Sequence, residues 1–183
     1  MKTDNILYIF SGCTGCGKTS ISKPFAESNG FRWTSFGNAV RAEAGRLGLR
    51  ADDKAVLQSL GQKLVENEPE RLCEIVLHDL KAANRGAGVL DGLRHMRVLE
   101  LLKLREGADI CRVIFVDVEP SIRHLRLKQN RGWSEEECQR YDRDATEVEV
   151  NDLLRPAADL VIDNNGSLHS SFAQLEQWRA STF

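Results

Sequence analysis

The stretch Gly12-Cys13-Thr14-Gly15-Cys16-Gly17-Lys18-Thr19 decides how the rest of the chain is read. It satisfies Gly-x-x-x-x-Gly-Lys-Thr in full, the pattern of a phosphate-binding P-loop. Each part has a physical task. Glycines let the backbone turn tightly and bring successive N–H groups onto phosphate oxygens. The run before it, Ile6-Leu7-Tyr8-Ile9-Phe10, reads as a strand, within a candidate spanning Asn5 to Ser11. Ile21 and Phe25 after it fall on one face of a helix over about Gly17 to Ser28. A helix that starts here points its positive end at the same anion.

These features make Gly12 to Ser20 the candidate cradle for ATP. Lys18 reaches the β- and γ-phosphates as a mobile point charge, and the Thr19 hydroxyl can ligate Mg²⁺. Cys13 and Cys16 form a C-x-x-C inside the loop. With no second such pair and no His pair beside it, it reads as two variable loop positions rather than a zinc or redox site. Oxidation of the pair distorting the cradle is a side hypothesis.

Outward from the loop, short apolar runs alternate with helical stretches. Phe31 to Phe36 reads as a second strand. Asn38 to Leu47 and Ala55 to Glu66 read as helices, the latter capped by Asp52-Asp53. Pro69 opens a helix to about Ala83. Gly88 to Asp91 is a third strand, Met96 to Arg105 a helix, and Cys111 to Val118 a strand apolar enough to be buried on both faces. Pro120 opens a helix to about Asn130. A charge-dense stretch runs from Arg131 to Asp152, then a fifth strand at Leu160-Val161-Ile162 and a last helix over Ser167 to Arg179. Strands separated by helices predict an α/β three-layer sandwich around a parallel sheet.

Composition bounds the partners. The chain has 183 residues, enough for one domain. Its 25 Lys and Arg against 27 Asp and Glu give a net charge of −2, which argues against a nucleic-acid binder. No run approaches the roughly 18 apolar residues of a membrane span. Five cysteines and no secretory signal point to a reducing cytoplasm. Monomer and homodimer both stay open.

Two further segments carry chemistry. Val89-Leu90-Asp91-Gly92-Leu93-Arg94 is a strand ending in Asp-Gly-x-Arg, and Asp91 at its carboxyl end is placed to hold Mg²⁺ or orient an acceptor. Asp-Gly is also ordinary turn chemistry. Gly37-Asn38-Ala39-Val40-Arg41 follows the second strand. Together these resemble nucleoside monophosphate kinases, which carry Gly-Asp-x-x-Arg after strand two and Asp-Gly-x-Arg or Asp-Gly-x-x-Arg after strand three. The resemblance implies that Gly37, Asn38, Arg41 and Arg94 bind the acceptor, with the two arginines on its phosphate, as Arg forks suit. Asn38 replaces the family's Asp.

The segment Ala158-Asp159-Leu160-Val161-Ile162-Asp163-Asn164-Asn165-Gly166 is similar to the Ala-Asp-x-Val-Ile-Asp-Asn-x-Gly of dephospho-CoA kinases, where it forms the last strand and a loop near the ATP base. That makes Asn164 and Asn165 candidate adenine contacts, although Asn-Asn-Gly is also a strong turn. Dephospho-CoA kinases carry aspartates after strand two, at positions that are Ser35 and Gly37 here. An anionic phosphate acceptor needs no such base, which tilts the reading toward a nucleotide acceptor.

The resemblance implies the P-loop strand order 2-3-1-4-5, acceptor-binding helices over about 37–86, and a lid over about 131–152 that closes on ATP. Arg126, Arg131, Arg140 and Arg143 are the candidate lid arginines, joining Lys18 and Asp91 as catalytic residues. Read without the resemblance, that stretch is a solvated helical hairpin. Three functions stay open: a nucleoside or deoxynucleoside monophosphate kinase, a kinase of dephospho-CoA or another hydroxyl acceptor, and a regulatory ATPase with no metabolite acceptor. A polynucleotide-end kinase is disfavoured by the acidic charge.

Overall fold

The computed structural model describes residues 6–81 and 87–182. Asn5 at the start of the expected first strand, and the end of the expected helix at Ala83, lie outside the described residues. Five strands form one parallel sheet in the order β2-β3-β1-β4-β5, as expected. They are β1 (Leu7–Ser11), β2 (Arg32–Ser35), β3 (Gly88–Leu93), β4 (Cys111–Asp117) and β5 (Leu160–Asp163). Nine α-helices are described: α1 (Lys18–Asn29), α2 (Phe36–Arg46), α3 (Lys54–Asn67), α4 (Pro69–Lys81), α5 (Met96–Glu106), α6 (Pro120–Arg131), α7 (Glu135–Asp142), α8 (Ala145–Glu149) and α9 (Leu168–Thr182).

The period-two pattern of the strands explains the three layers. On β1, Leu7 and Ile9 face one side and pack with Leu72 and Val76 of α4, Leu99 and Leu102 of α5, and Leu90 and Phe115 of neighbouring strands. Tyr8 and Phe10 face the other side and pack with Ile21 and Phe25 of α1 and Leu175 of α9. The strand turns both faces inward, so all five of its residues are buried.

Local chemistry sets the boundaries. Asp53 caps α3 through the N–H groups of Ala55 and Val56, Ser35 caps α2 through that of Asn38, and Pro120 occupies the first turn of α6. Ser134 and Glu137 form a reciprocal capping box at α7. One element differs from expectation: the third strand runs on through Gly92, whose φ of 91° suits glycine, to Leu93. The charge-dense stretch is helical, as expected, forming α7 and α8, and α8 continues into a π turn, Val150–Leu154, that buries Val150 and Leu154.

All strands run the same way, so their carboxyl ends form one edge where α/β folds place ligands. The loop after β1, Asp91 of β3 and the turn after β2 all lie there.

On the side away from this edge's chemistry, Glu43 of α2 is buried and bonded to Arg46 at 2.6 and 2.8 Å and to Arg71 of α4 at 3.3 and 3.5 Å. Hydrogen bonds from Arg46, then Arg71, outweigh burial and lower its carboxyl from 4.5 to about 2. A depressed carboxyl contributes stability that is present above its ordinary pKa and fades as pH falls toward the folded value. Urea midpoints measured from neutral pH down to pH 2 should therefore show Glu43→Gln well below wild type at neutral pH, with the gap closing below about pH 4.5.

Candidate functional site

The loop between β1 and α1 is held open by glycines that have no alternative. Gly12, Gly15 and Gly17 have φ of 137°, 83° and 93°. A Cβ on Gly12 would strike the Val116 carbonyl, one on Gly15 would lie 2.8 Å from Leu127, and one on Gly17 would lie 2.5 Å from Asn164 Nδ2. Gly17 caps α1 with no side-chain hydrogen bond, which leaves the helix's first N–H groups for an anion. Lys18 Nζ donates to the carbonyls of Gly12 at 2.5 Å and Cys13 at 2.9 Å, folding its amine across the loop. Ser20 follows, exposed at the cleft.

Thr19 Oγ1 donates to Asp91 Oδ2 at 2.6 Å. Asp91 is 3% exposed, and its Oδ1 is buried with no hydrogen-bond partner. Burial raises its pKa, opposed by the Thr19 bond and the charge of Lys18. An orphaned buried carboxylate oxygen beside a hydroxyl at the phosphate loop fits a hard cation. Among the described residues no group of three or more His, Cys, Asp or Glu could cage a metal. That donor set suits Mg²⁺, which keeps waters and takes phosphate oxygens.

Several side chains brace the loop from behind. Asn164 is buried; its Nδ2 donates to the Cys16 carbonyl at 2.7 Å and its Oδ1 accepts from Ser171 at 2.8 Å. Arg126 donates to the Asn164 carbonyl at 2.8 Å, and Arg123 to the Thr14 carbonyl at 3.3 Å and to Asp142 of α7 at 2.6 Å. Asn165 turns away, its Oδ1 accepting from the Glu119 N–H at 2.7 Å. Cys13 and Cys16 back onto a smaller cavity of 320 Å³, and burial pushes the Cys13 thiol up to about 11, away from a reactive thiolate. All five cysteines are free.

The main cleft holds about 1540 Å³, above the roughly 300–1,000 Å³ of a typical single-ligand pocket, so it has room for two substrates. Its walls include the P-loop, Asp91 and Arg94, the turn of Gly37, Asn38 and Arg41, and Arg126 and Arg131. Arg41 is exposed and donates to Asn38 Oδ1 at 3.3 Å. Arg131 lies 5.7 Å from the Trp133 ring. Arg140 and Arg143 are exposed and do not line the cleft.

Arg94 is committed to a partner that sequence reasoning missed. Its Nη1 donates to Glu147 Oε1 and its Nη2 to Thr14 Oγ1, both at 2.5 Å. Glu149, also missed, accepts from the Met96 N–H at 2.8 Å and sits 3.0 Å from His95 Nδ1, capping α5. Both glutamates lie in a stretch that reads locally as solvated charge. Their partners are distant in sequence, so no local signal marks them.

The AAA domain family's profile matches residues 11–147, from the end of β1 into α8. The UPF0200 protein PAE1629 of Pyrobaculum aerophilum is 31% identical over 180 residues, covering 94% of this chain and 93% of its own. Among solved structures, a shikimate kinase from Bacteroides thetaiotaomicron superposes with a TM-score of 0.64 at 15% identity, over 96% of this chain and 98% of its own. TT1252 from Thermus thermophilus gives 0.65 at 19%, over 97% and 98%. A gluconokinase from Sinorhizobium meliloti gives 0.58 at 14%, over the full length of both. Likeness at these identities is a likeness of fold.

Asn164→Ala removes the buried side-chain donor to the Cys16 carbonyl and leaves the Ser171 hydroxyl only its longer bonds to the Asp163 and Ser167 carbonyls at 3.4 Å. Chemical denaturation should show a loss of about 1–3 kcal/mol.

Proposed function

The chain belongs to the AAA domain family and has the P-loop kinase fold, and from that premise we propose that it transfers the terminal phosphate of ATP to a small nucleotide-type acceptor, a nucleoside or deoxynucleoside monophosphate. The observation that carries this reading is the pairing of two features on one cleft. At one end lies a glycine cradle with Lys18, Thr19 and the orphaned Asp91 oxygen. At the other lies an exposed arginine, Arg41, on a turn that presents Ser35, Gly37 and Asn38 but no carboxylate. A phosphate acceptor is already a nucleophile and needs no base there, whereas it does need a cation.

In this reading the N–H groups at the start of α1 and Lys18 hold the donor's phosphates. Mg²⁺, held by Thr19 and by Asp91 directly or through water, supplies charge neutralisation on the phosphate oxygens. Arg41 grips the acceptor phosphate, with Gly37 and Asn38 shaping its pocket, and the helices within 37–86 form the acceptor side. The segment 131–152 acts as the lid. Arg131 is its cleft-facing cation, Arg126 of α6 lines the cleft beside it, and Arg140 and Arg143 join only if α7 swings inward. Catalysis comes from positioning and charge rather than covalent chemistry. Five free thiols suit a reducing cytoplasm, and no helix among the described residues is long and apolar enough to cross a membrane.

A second reading keeps a hydroxyl acceptor, as in a kinase of dephospho-CoA or of a small alcohol. The buried Asp91 oxygen without a partner supports it, because such a carboxylate is a candidate base for a hydroxyl proton. The two readings separate on the acceptor panel.

ADP release should be followed with ATP, Mg²⁺ and a panel of nucleoside monophosphates, deoxynucleotides and dephospho-CoA. Lys18→Ala should reduce turnover by at least about 100-fold while leaving the melting temperature within a few degrees. Arg41→Ala should raise the acceptor KM by about tenfold or more with the ATP KM little changed. Full activity in Lys18→Ala would refute the mechanism, and an unchanged acceptor KM would remove Arg41 from it.

A further inference from the structure

Glu147 of α8 touches both loops that build the site. Its Oε2 accepts from the Thr14 N–H at 2.8 Å, and its Oε1 accepts from the Thr14 hydroxyl at 2.7 Å and from Arg94 Nη1 at 2.5 Å. Arg94 Nη2 in turn donates to the Thr14 hydroxyl at 2.5 Å. The Thr14 hydroxyl thus gives its proton to Glu147 and receives one from Arg94, which is its full donor capacity and one of its two acceptor sites. Three side chains from three separate segments close a ring. Thr14 and Glu147 are 6% and 3% exposed, while the Arg94 side chain keeps 29% and faces the cleft.

The location of Glu147 defines what it can do. It lines the smaller cavity behind the loop and not the cleft, so it acts on a ligand only through Thr14 and Arg94. It remains a carboxylate: burial favours its protonated form, but Arg94 and the Thr14 bonds outweigh that and hold its pKa below the ordinary range. A free arginine loses side-chain entropy when it grips an anion, and one already held in place loses less. Two of the five guanidinium N–H donors go to the ring, and the residue lines the cleft.

We propose that Glu147 is a positioning residue that presents Arg94, directly and through the Thr14 hydroxyl, to the terminal phosphate of ATP, and so makes the site prefer ATP over ADP. The inference rests on the ATP-site reading above and adds a residue outside the cleft. In the ATP-site reading the start of α1 holds the phosphates that ATP and ADP share, and Lys18 reaches from these to the terminal one. Arg94 is a second cation lining the cleft, held against Thr14 of the loop and close enough to Asp91 of β3 for its charge to act on that carboxyl.

Calorimetric titration of ATP and of ADP, each with excess Mg²⁺, tests this without needing the acceptor. Glu147→Gln should weaken ATP by about tenfold and ADP by less than about threefold. Thr14→Val keeps the shape of the side chain and removes the hydroxyl, and should give the same ATP-selective loss. Because both act through one ring, the double variant should be no weaker than the worse single one. Urea midpoints accompany each variant. If Glu147→Gln fails to fold, Thr14→Val decides: a selective loss supports the proposal, and an equal or absent loss overturns it. Equal weakening of ATP and ADP by Glu147→Gln would mean that the residue only shapes the loop, and additive losses would mean there is no shared ring; either overturns the proposal. Wild-type protein that bound neither nucleotide would overturn the ATP-site reading, and this inference with it.

Discussion

The absence of room for a single Cβ at Gly12, Gly15 and Gly17 is the constraint on which the rest of this structure depends. The loop is pressed against the Val116 carbonyl of β4, Leu127 of α6 and Asn164 after β5, and each glycine meets a different neighbour. That contact forces the backbone into left-handed turns and turns its N–H groups inward. It also explains why β4, α6 and the loop after β5 are arranged as they are: they form the back wall of the cradle. The sheet supplies the frame, with β1 central and buried on both faces, so the loop leaves from the middle of the sheet.

The second organising feature is electrostatic. Arg94 and Glu147 form a pair in which the carboxylate is buried and the arginine partly exposed, so removing the arginine would leave a buried carboxylate without its ion-pair partner. Because Thr14 belongs to the same ring, the P-loop, the loop after β3 and α8 are held in register with each other. Glu149 adds a second tie, to the first turn of α5. The segment 131–152 therefore divides. Its second half is anchored to the site and to the core through Val150 and Leu154, while α7 is tied to α6 by Asp142 to Arg123 and His124 and by Glu135 to Lys128 and His124, and it buries Cys138.

Much of this was legible in the sequence, for identifiable reasons. The Gly-Lys-Thr spacing, the apolar run Ile6 to Phe10 and the helical spacing of Ile21 and Phe25 are local signals of a local structure. The parallel sheet follows from alternation of strands and helices, and its order from the resemblance to nucleotide kinases. Asp91 could be placed because the apolar run Val89-Leu90 before it marks a strand next to the Asp-Gly-x-Arg pattern. The role of Glu147 was not, because it meets Thr14 across 133 residues and Arg94 across 53, amid acidic neighbours that are solvated. Asn164 was singled out by resemblance as an adenine contact, and its bracing of Cys16 is likewise a long-range bond. The extension of β3 to Leu93 escaped notice because Asp-Gly reads as a turn, while Gly92 is a glycine inside a strand.

The central claim is that the cleft joins a donor phosphate to an acceptor. Phosphorus NMR of a mixture of ATP, Mg²⁺ and a nucleoside monophosphate with the protein tests it most directly, because it shows where the terminal phosphate goes. The expected result is the growth of nucleoside diphosphate resonances from both partners, with little inorganic phosphate. Inorganic phosphate accumulating at the same rate with or without any acceptor in the panel would contradict the claim and identify the protein as an ATPase.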